Sequence, residues 1–257
     1  MTELDISIVG DSALNIVFGS TLDPANGSRT YDPDAARHVR CALELLERQP
    51  IQGTIGATPA YCALTIYYDP LTIGYDELVL QLNDRLANLE SYIAAQNAEH
   101  PSRTVVKVPV CYGGEYGRDL EAVAKSAGMT TDEVIKRHSA PIYEVGMHGF
   151  YPGFTYLTGL DHKLDIPRSF EPHDSVPAGS VGIGGKQTGI YSLTSPGDWH
   201  VIGRTPLQLF DIERKPALLL QIGQGVEIEP ISAAEFENIS QLIAEGTYEL
   251  QSYEQEA

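Results

Sequence analysis

The sequence is short of cations: 17 Lys and Arg stand against 35 Asp and Glu, a formal net charge of −18 over 257 residues. A phosphate backbone is held by clustered Lys and Arg, and no such cluster occurs, which argues against nucleic-acid binding. A peripheral membrane role is disfavoured on the same ground, because anionic headgroups attract basic segments. No apolar run is long enough to span a bilayer, and Met1 to Ile8 carry Glu3 and Asp5 where a signal peptide would carry positive charge. A cytoplasmic protein is expected. Cysteine is scarce as well: Cys41, Cys62 and Cys111 are far apart, and none forms a Cys-x-x-Cys pair. Reduced, core-filling thiols are the expectation. The seven histidines are scattered, without a His-Glu-x-x-His spacing or cysteine partners, so a zinc or iron site has no support.

What is present is apolar material spread along the chain, 42% of residues, enough for one large domain or two small ones. Over the first hundred residues the apolar period switches between two and 3.6. Leu14, Ile16 and Phe18 alternate as a strand. Asp32 and Pro33 read as an N-cap and first helical position, with Ala36, Val39, Leu43 and Leu46 carrying the helix to about Arg48. Strands are expected at Thr54 to Ala57 and Ala63 to Tyr68, then a second helix through Leu78, Leu82, Leu86 and Leu89. Val106, Val108 and Val110 give one more strand. Strand, helix, strand, strand, helix, strand is the split βαβ order of a ferredoxin-like α/β layer, assigned to residues 1–100, with a joint in Gln96 to Arg103 where Pro101 discourages helix.

For residues 101–257 the expectation is a closed or strongly bent antiparallel β-barrel, making the whole chain α+β. Short helices are read at Leu120 to Ala127 and, behind a capping box of Thr130 and Glu133, up to about His138. From Gly149 to Gly225 Gly and Pro separate short β-rich runs such as Gly189 to Leu193 and Leu207 to Phe210. A last helix at Ala233 to Ala244 would cover an end, and the acidic tail after Tyr248 reads as frayed.

Two motifs fail on spacing. Gly182 to Thr188 lacks the P-loop's leading glycine, which falls on Ser180, and Gln187 follows Lys186 where Ser or Thr is required. The alternatives are a glycine-rich bend or exposed N–H groups that hold an anion. Ala178 to Gly182 resembles a nucleophile elbow, but no helix follows Ser180, whose hydroxyl is better read as a turn group. His138 and His148 are either acid–base groups or hydrogen-bonded structural histidines. Gly149 to Leu157 sets Phe150, Phe154 and Tyr156 among glycines and Pro152, a rigid apolar wall. Arg168 and Arg204, with Gln187, Thr188 and Tyr191, then supply either carboxylate or phosphate recognition or two structural salt bridges.

Gly149 to Leu157, Val176 to Val181, Gln187 to Tyr191, Ser195 to Gly197 and Ile202 to Asp211 together resemble the family of 5-oxoprolinase B subunits, formerly allophanate hydrolase subunit 1, which includes the sporulation-kinase inhibitor of Bacillus-type bacteria. The resemblance implies a ferredoxin-like domain followed by a cyclophilin-like β-barrel. It also implies a component, inactive alone, that works with the A and C subunits to convert 5-oxoproline to L-glutamate at the expense of ATP with magnesium. The catalytic set it implies is Arg168, Gln187, Arg204 and His148. Phe150, Phe154, Tyr156, Ser180, Thr188 and Tyr191 would bind a small lactam or amide. Two alternatives come with it, an inhibitor of a sensor histidine kinase and the carboxyltransferase half of a biotin-dependent urea carboxylase. Ser169, His173, Asp198 and Gln224 depart from the usual family pattern, two cations fewer and one acid more, which bears on the substrate.

Overall fold

The computed structural model describes residues 4–22, 29–31, 35–99, 102–168 and 171–256. Its chain divides into two units, Met1–Pro101 and Ser102–Ala257. The predicted Asp32–Pro33 helix start and Pro101 lie outside the described residues.

The first unit runs β1 (Asp5–Ile8), β2 (Ala13–Val17), β3 (Ser20–Leu22), β4 (Arg29–Tyr31), α1 (Ala35–Arg48), β5 (Thr54–Ala60), β6 (Ala63–Tyr68), α2 (Tyr75–Arg85) and α3 (Leu89–Glu99). The sheet order is β1-β2-β6-β5, antiparallel throughout. Its register sets Leu14 opposite Ile66 and Ile16 opposite Leu64. These four side chains form one buried face with Val39 and Ala42 of α1 and Leu78 and Leu82 of α2, as period-two strands on period-3.6 helices require. This is the ferredoxin-like layer, with two differences from the sequence reading. The fourth sheet position is filled by β1, from the front of the chain, while the Val106–Val110 strand belongs to the second unit. The expected single helix through Leu89 is two helices: after Arg85 the bonds tighten to Ala87 N–H on Asp84 C=O and Leu89 N–H on Leu86 C=O. That break lets Leu86 and Leu89 both reach the core.

The second unit comprises β7 (Ser102–Tyr112), α4 (Leu120–Ala127), α5 (Thr131–Ser139), β8 (Ile142–His148), β9 (Thr155–Thr158), β10 (His173–Val176), β11 (Ser180–Gly184), β12 (Gln187–Ile190), β13 (Ser195–Gly197), β14 (His200–Arg204), β15 (Gly225–Ile231), α6 (Ala233–Ala244) and β16 (Ser252–Glu256). The order β14-β11-β12-β9-β8-β15-β7 closes on itself through a β14–β7 pairing, giving a seven-strand barrel. One pairing, β15 with β7, is parallel, and it stacks Val106 on Val226 and Val108 on Ile228 in the core. The acidic tail is not frayed: β16 pairs with Ser102–Val106 of β7, and the Glu254 carboxylate accepts from Ser102 at 3.0 Å and Thr104 at 2.7 Å. Leu207 to Phe210 is not a strand, holding only a Phe210–Leu218 bridge, although Leu207 and Leu209 are buried. Thr130 caps α5 as read, yet Glu133 turns to Arg137. The full capping box is Ser232–Glu235 on α6.

Candidate functional site

Gly182, Gly184 and Gly189 form a floor. In the β9-β12-β11 sheet Tyr156 lies opposite Gly189, Gly189 opposite Gly182, and Gln187 opposite Gly184. A methyl group on Gly184 would stand 2.7 Å from the Trp199 ring, and one on Gly189 would stand 3.1 Å from both Phe154 and Trp199. The glycine run is thus a packing surface for an indole. Phe154 joins Tyr156, Tyr191 and Trp199 with ring centres 4.6, 4.9 and 5.6 Å away, separations at which tilted and edge-to-face pairs are favourable.

Only the rim of this cluster is open. Arg168 places its guanidinium 5.5 Å from the Trp199 ring centre and 3.5 Å from the Asp198 carboxylate, with both charged side chains about half exposed. His200 reaches the Pro167 carbonyl at 2.9 Å and so ties the Arg168 segment to the start of β14. Burial pushes the Tyr156 phenol above its ordinary pKa, with Arg168 pulling down and Asp198 pushing up. Burial also raises Tyr191, to about 12. Both phenols stay protonated at neutral pH. The result is a ledge made by half-buried Tyr156, the Arg168 cation and the Asp198 anion over a buried indole and the buried Tyr191 phenol, with a cation placed to meet a small carboxylate.

Of the ten residues expected at the site, Arg168, Gln187, Phe154, Tyr156 and Tyr191 share this face. Phe150 stacks at its border on Phe154, at 5.8 Å, and is exposed. Arg204 does not join them. It ends β14 while Arg168 is tied to the strand's beginning, four residues away, or about 13 Å at the strand rise of roughly 3.3 Å per residue. Ser180 is buried opposite Arg204. His148, at the end of β8, faces Thr155 at 3.4 Å, and its Nε2 is buried without an acceptor. Burial pushes its pKa down, against the pull of the Phe154 and Leu220 backbone.

Thr188 points away from the ledge, on the opposite side of β12, into a closed polar chain. Its hydroxyl donates to the Gly182 carbonyl at 2.9 Å and meets His138 Nε2 at 2.8 Å, while His138 Nδ1 meets the Tyr112 hydroxyl at 2.7 Å. Since Thr188 gives its proton to Gly182, His138 must donate from Nε2 and accept at Nδ1 from Tyr112. Every group is satisfied, and burial drives His138 from 6.5 to about 3. His138 is therefore a neutral structural histidine, and Thr188 has no free hydroxyl for a ligand.

Nor is Gly182 to Thr188 an anion nest. Gly185, at φ +65°, turns a two-residue β11–β12 hairpin, and its N–H is bound to the Ile166 carbonyl at 2.7 Å. Among the described residues no cluster of three or more His, Cys, Asp or Glu could hold a metal ion. Trp199 is the site residue that sequence reasoning missed, and Asp198 entered it only as a departure from the family pattern. The available signal was the chain's one tryptophan, set beside an acid in a Gly-rich block. Two of the other departures have structural partners: His173 binds Asp119 at 2.8 Å, and Gln224 accepts from the Gln221 N–H at 2.8 Å. Ser169 lies outside the described residues.

The family model for the carboxyltransferase domain, subdomain C and D, matches residues 4–220. The chain belongs to that family. It is 38% identical over 242 residues to the B subunit of 5-oxoprolinase from Bacillus subtilis, covering 90% of this chain and 94% of that one. It is 44% identical over 147 residues to the 5-oxoprolinase B subunit of Escherichia coli O157:H7, covering 57% and 67%. Among solved structures, TTHA0988 matches at TM-score 0.68 and 31% identity, covering 86% of this chain and 40% of that one. The Kluyveromyces lactis urea amidolyase matches at TM-score 0.73 over 98% of this chain and 16% of that one. Identity there is 18%, so that likeness speaks to the fold alone. No helix among the described residues is long and apolar enough to cross a membrane.

Proposed function

We propose that this carboxyltransferase C/D chain is the B subunit of a 5-oxoprolinase, working with the A and C subunits in an ATP-dependent opening of 5-oxoproline to L-glutamate. The observation that carries the reading is likeness to the Bacillus subtilis B subunit over 94% of that protein's length. The ledge supports it chemically. A five-membered lactam is flat enough to lie against Tyr156 at the open rim, and its carboxylate matches the Arg168 guanidinium. On this reading the chain binds and orients the ring, and hydrolysis breaks the C–N bond of the lactam.

The Gly185 amide, in the segment that most resembles a phosphate loop, is already bound to the Ile166 carbonyl. On this reading ATP with its magnesium sits at the interface with the partner subunits. A cytoplasmic location, with Cys41, Cys62 and Cys111 buried and in no disulfide, belongs to the same reading.

The reading is tested by mixing the chain with purified A and C subunits and measuring glutamate formed from 5-oxoproline. Activity should need all three. An assembled but inert set would overturn it. One observation favours the kinase-inhibitor alternative: Gly153 lies against both Phe210 and Ser192, and Phe150, Leu193 and Ile212, within three positions of these residues in the chain, are exposed large apolar side chains. Inhibition through these side chains would survive loss of Arg168 or Arg204.

A further inference from the structure

Arg204 lies outside the ledge, and its surroundings are those of a receptor. It closes β14, in register with Ser180 of β11 and Cys111 of β7. The guanidinium carbon sits 4.9 Å from the Tyr116 ring centre and 5.2 Å from that of Phe236, and these two rings contact each other at 4.6 Å. A tilted aromatic pair therefore seats the cation. The rings fix its position but accept no hydrogen bonds in the guanidinium plane.

That in-plane requirement is unmet at Nε. Arg204 Nε is buried with no acceptor, and among the described residues no carboxylate stands within ion-pair distance of the guanidinium. Two acids act on the same cluster without pairing with Arg204: Glu237 accepts from the Tyr116 hydroxyl at 3.0 Å, and Glu115 adds to burial in raising the Tyr116 and Cys111 pKa values. Other arginines of the barrel unit are treated differently. Arg137 Nε is orphaned in the same way, but its terminal nitrogens bridge Glu133 and Asp161, the carboxylates that Arg204 lacks, and Arg214 is consumed by four backbone carbonyls. A buried charged N–H without a partner is costly and calls for an explanation. Arg204 itself is only partly buried, so its terminal nitrogens remain within reach of a ligand.

We propose that Arg204, seated on Tyr116 and Phe236, is a second binding site, specific for a carboxylate. A planar two-oxygen acceptor satisfies adjacent N–H groups of one guanidinium at once, which a spherical anion does not. The carboxylate has two sources, a free small acid or an Asp or Glu side chain of a protein partner, and one spectroscopic probe separates them. The proposal is independent of turnover at the Arg168 ledge.

The test follows the Nε–H resonance of Arg204 by nitrogen-15 NMR in the full chain, identified by its disappearance in Arg204→Lys. Sodium acetate, then 5-oxoproline, is titrated at constant ionic strength against sodium chloride. A saturable shift with the carboxylates, absent with chloride, establishes a small-acid site. If small acids do nothing but added A and C subunits move the resonance, and Arg204→Lys weakens their binding tenfold or more while Arg168→Gln does not, the carboxylate comes from the partner. A resonance that responds to none of these, or equally to chloride, overturns the proposal. Because the readout is on the wild-type chain, a poorly folding variant does not protect it.

Discussion

Thr188→Val separates a structural from a ligand-contacting role at one position. Valine has the shape of threonine without the hydroxyl, so the substitution removes only the link between His138 and Gly182. His138 Nε2–H loses its acceptor in a site with no exposure, and the Gly182 carbonyl loses a donor. An unsatisfied buried group costs about 1–3 kcal/mol, so the pair of losses comes to about 2–6 kcal/mol. For a unit of this size that lowers Tm by roughly 5–25 °C. The same network gives the wild type a pH signature. Burial holds folded His138 at about 3 against an ordinary 6.5, so the unfolded chain takes up the proton first as pH falls. The His138 contribution is complete above about pH 6.5 and declines between about 6.5 and 3, at up to about 1.36 kcal/mol per pH unit. Urea denaturation of both proteins from pH 7 to pH 4 measures both effects. A loss below about 0.5 kcal/mol in Thr188→Val, or normal stability with lost substrate affinity, would contradict the closed network and return Thr188 to the ligand.

Three further outcomes are expected. Phe150 is the one non-glycine residue with positive φ among those described, at +66°, and it is exposed; Phe150→Gly should raise stability by about 1 kcal/mol in thermal melts, relieving left-handed strain, and unchanged stability would count against strain at this position. Gly184→Ala should cost about 1–3 kcal/mol and change the Trp199 fluorescence, because its methyl group meets the buried indole at 2.7 Å; a neutral result would mean that the ring moves freely. Arg168→Gln should raise KM for 5-oxoproline about 10–100-fold in the assembled enzyme, as expected for losing a charge-assisted bond worth about 1.5–3 kcal/mol, and an unchanged KM would place the substrate elsewhere.

Periodicity made most of the fold legible. Leu14 and Ile16 announced a half-buried strand, and Leu78 and Leu82 a helix face, because burial of one side repeats at a fixed interval. What period alone cannot say is which sheet a strand joins. Val106 to Val110 has the right pattern for the ferredoxin-like layer, yet long-range pairing with β15 and β16 decided its place. The charged tail looked frayed because its carboxylates suggest solvent, and the Ser102 and Thr104 hydroxyls that reach Glu254 lie far away in the chain, 152 and 150 positions earlier. At the site the aromatic wall and Arg168 were readable from Gly, Pro and aromatic texture. The pairing of Arg168 with Arg204 was not, since nearness in function-rich sequence does not fix which end of a strand a side chain occupies. Thr188 was misjudged for a related reason. Adjacent residues of a strand face opposite ways, so Gln187 and Thr188 cannot both serve one surface.

Whether this chain works as a component of a 5-oxoprolinase is decided by glutamate formation from 5-oxoproline and ATP. The purified A and C subunits are assayed together with this chain and again without it. Turnover should depend on this chain and saturate with 5-oxoproline. A set that assembles and yet leaves 5-oxoproline intact, or that turns it over equally well without this chain, would contradict the proposed role.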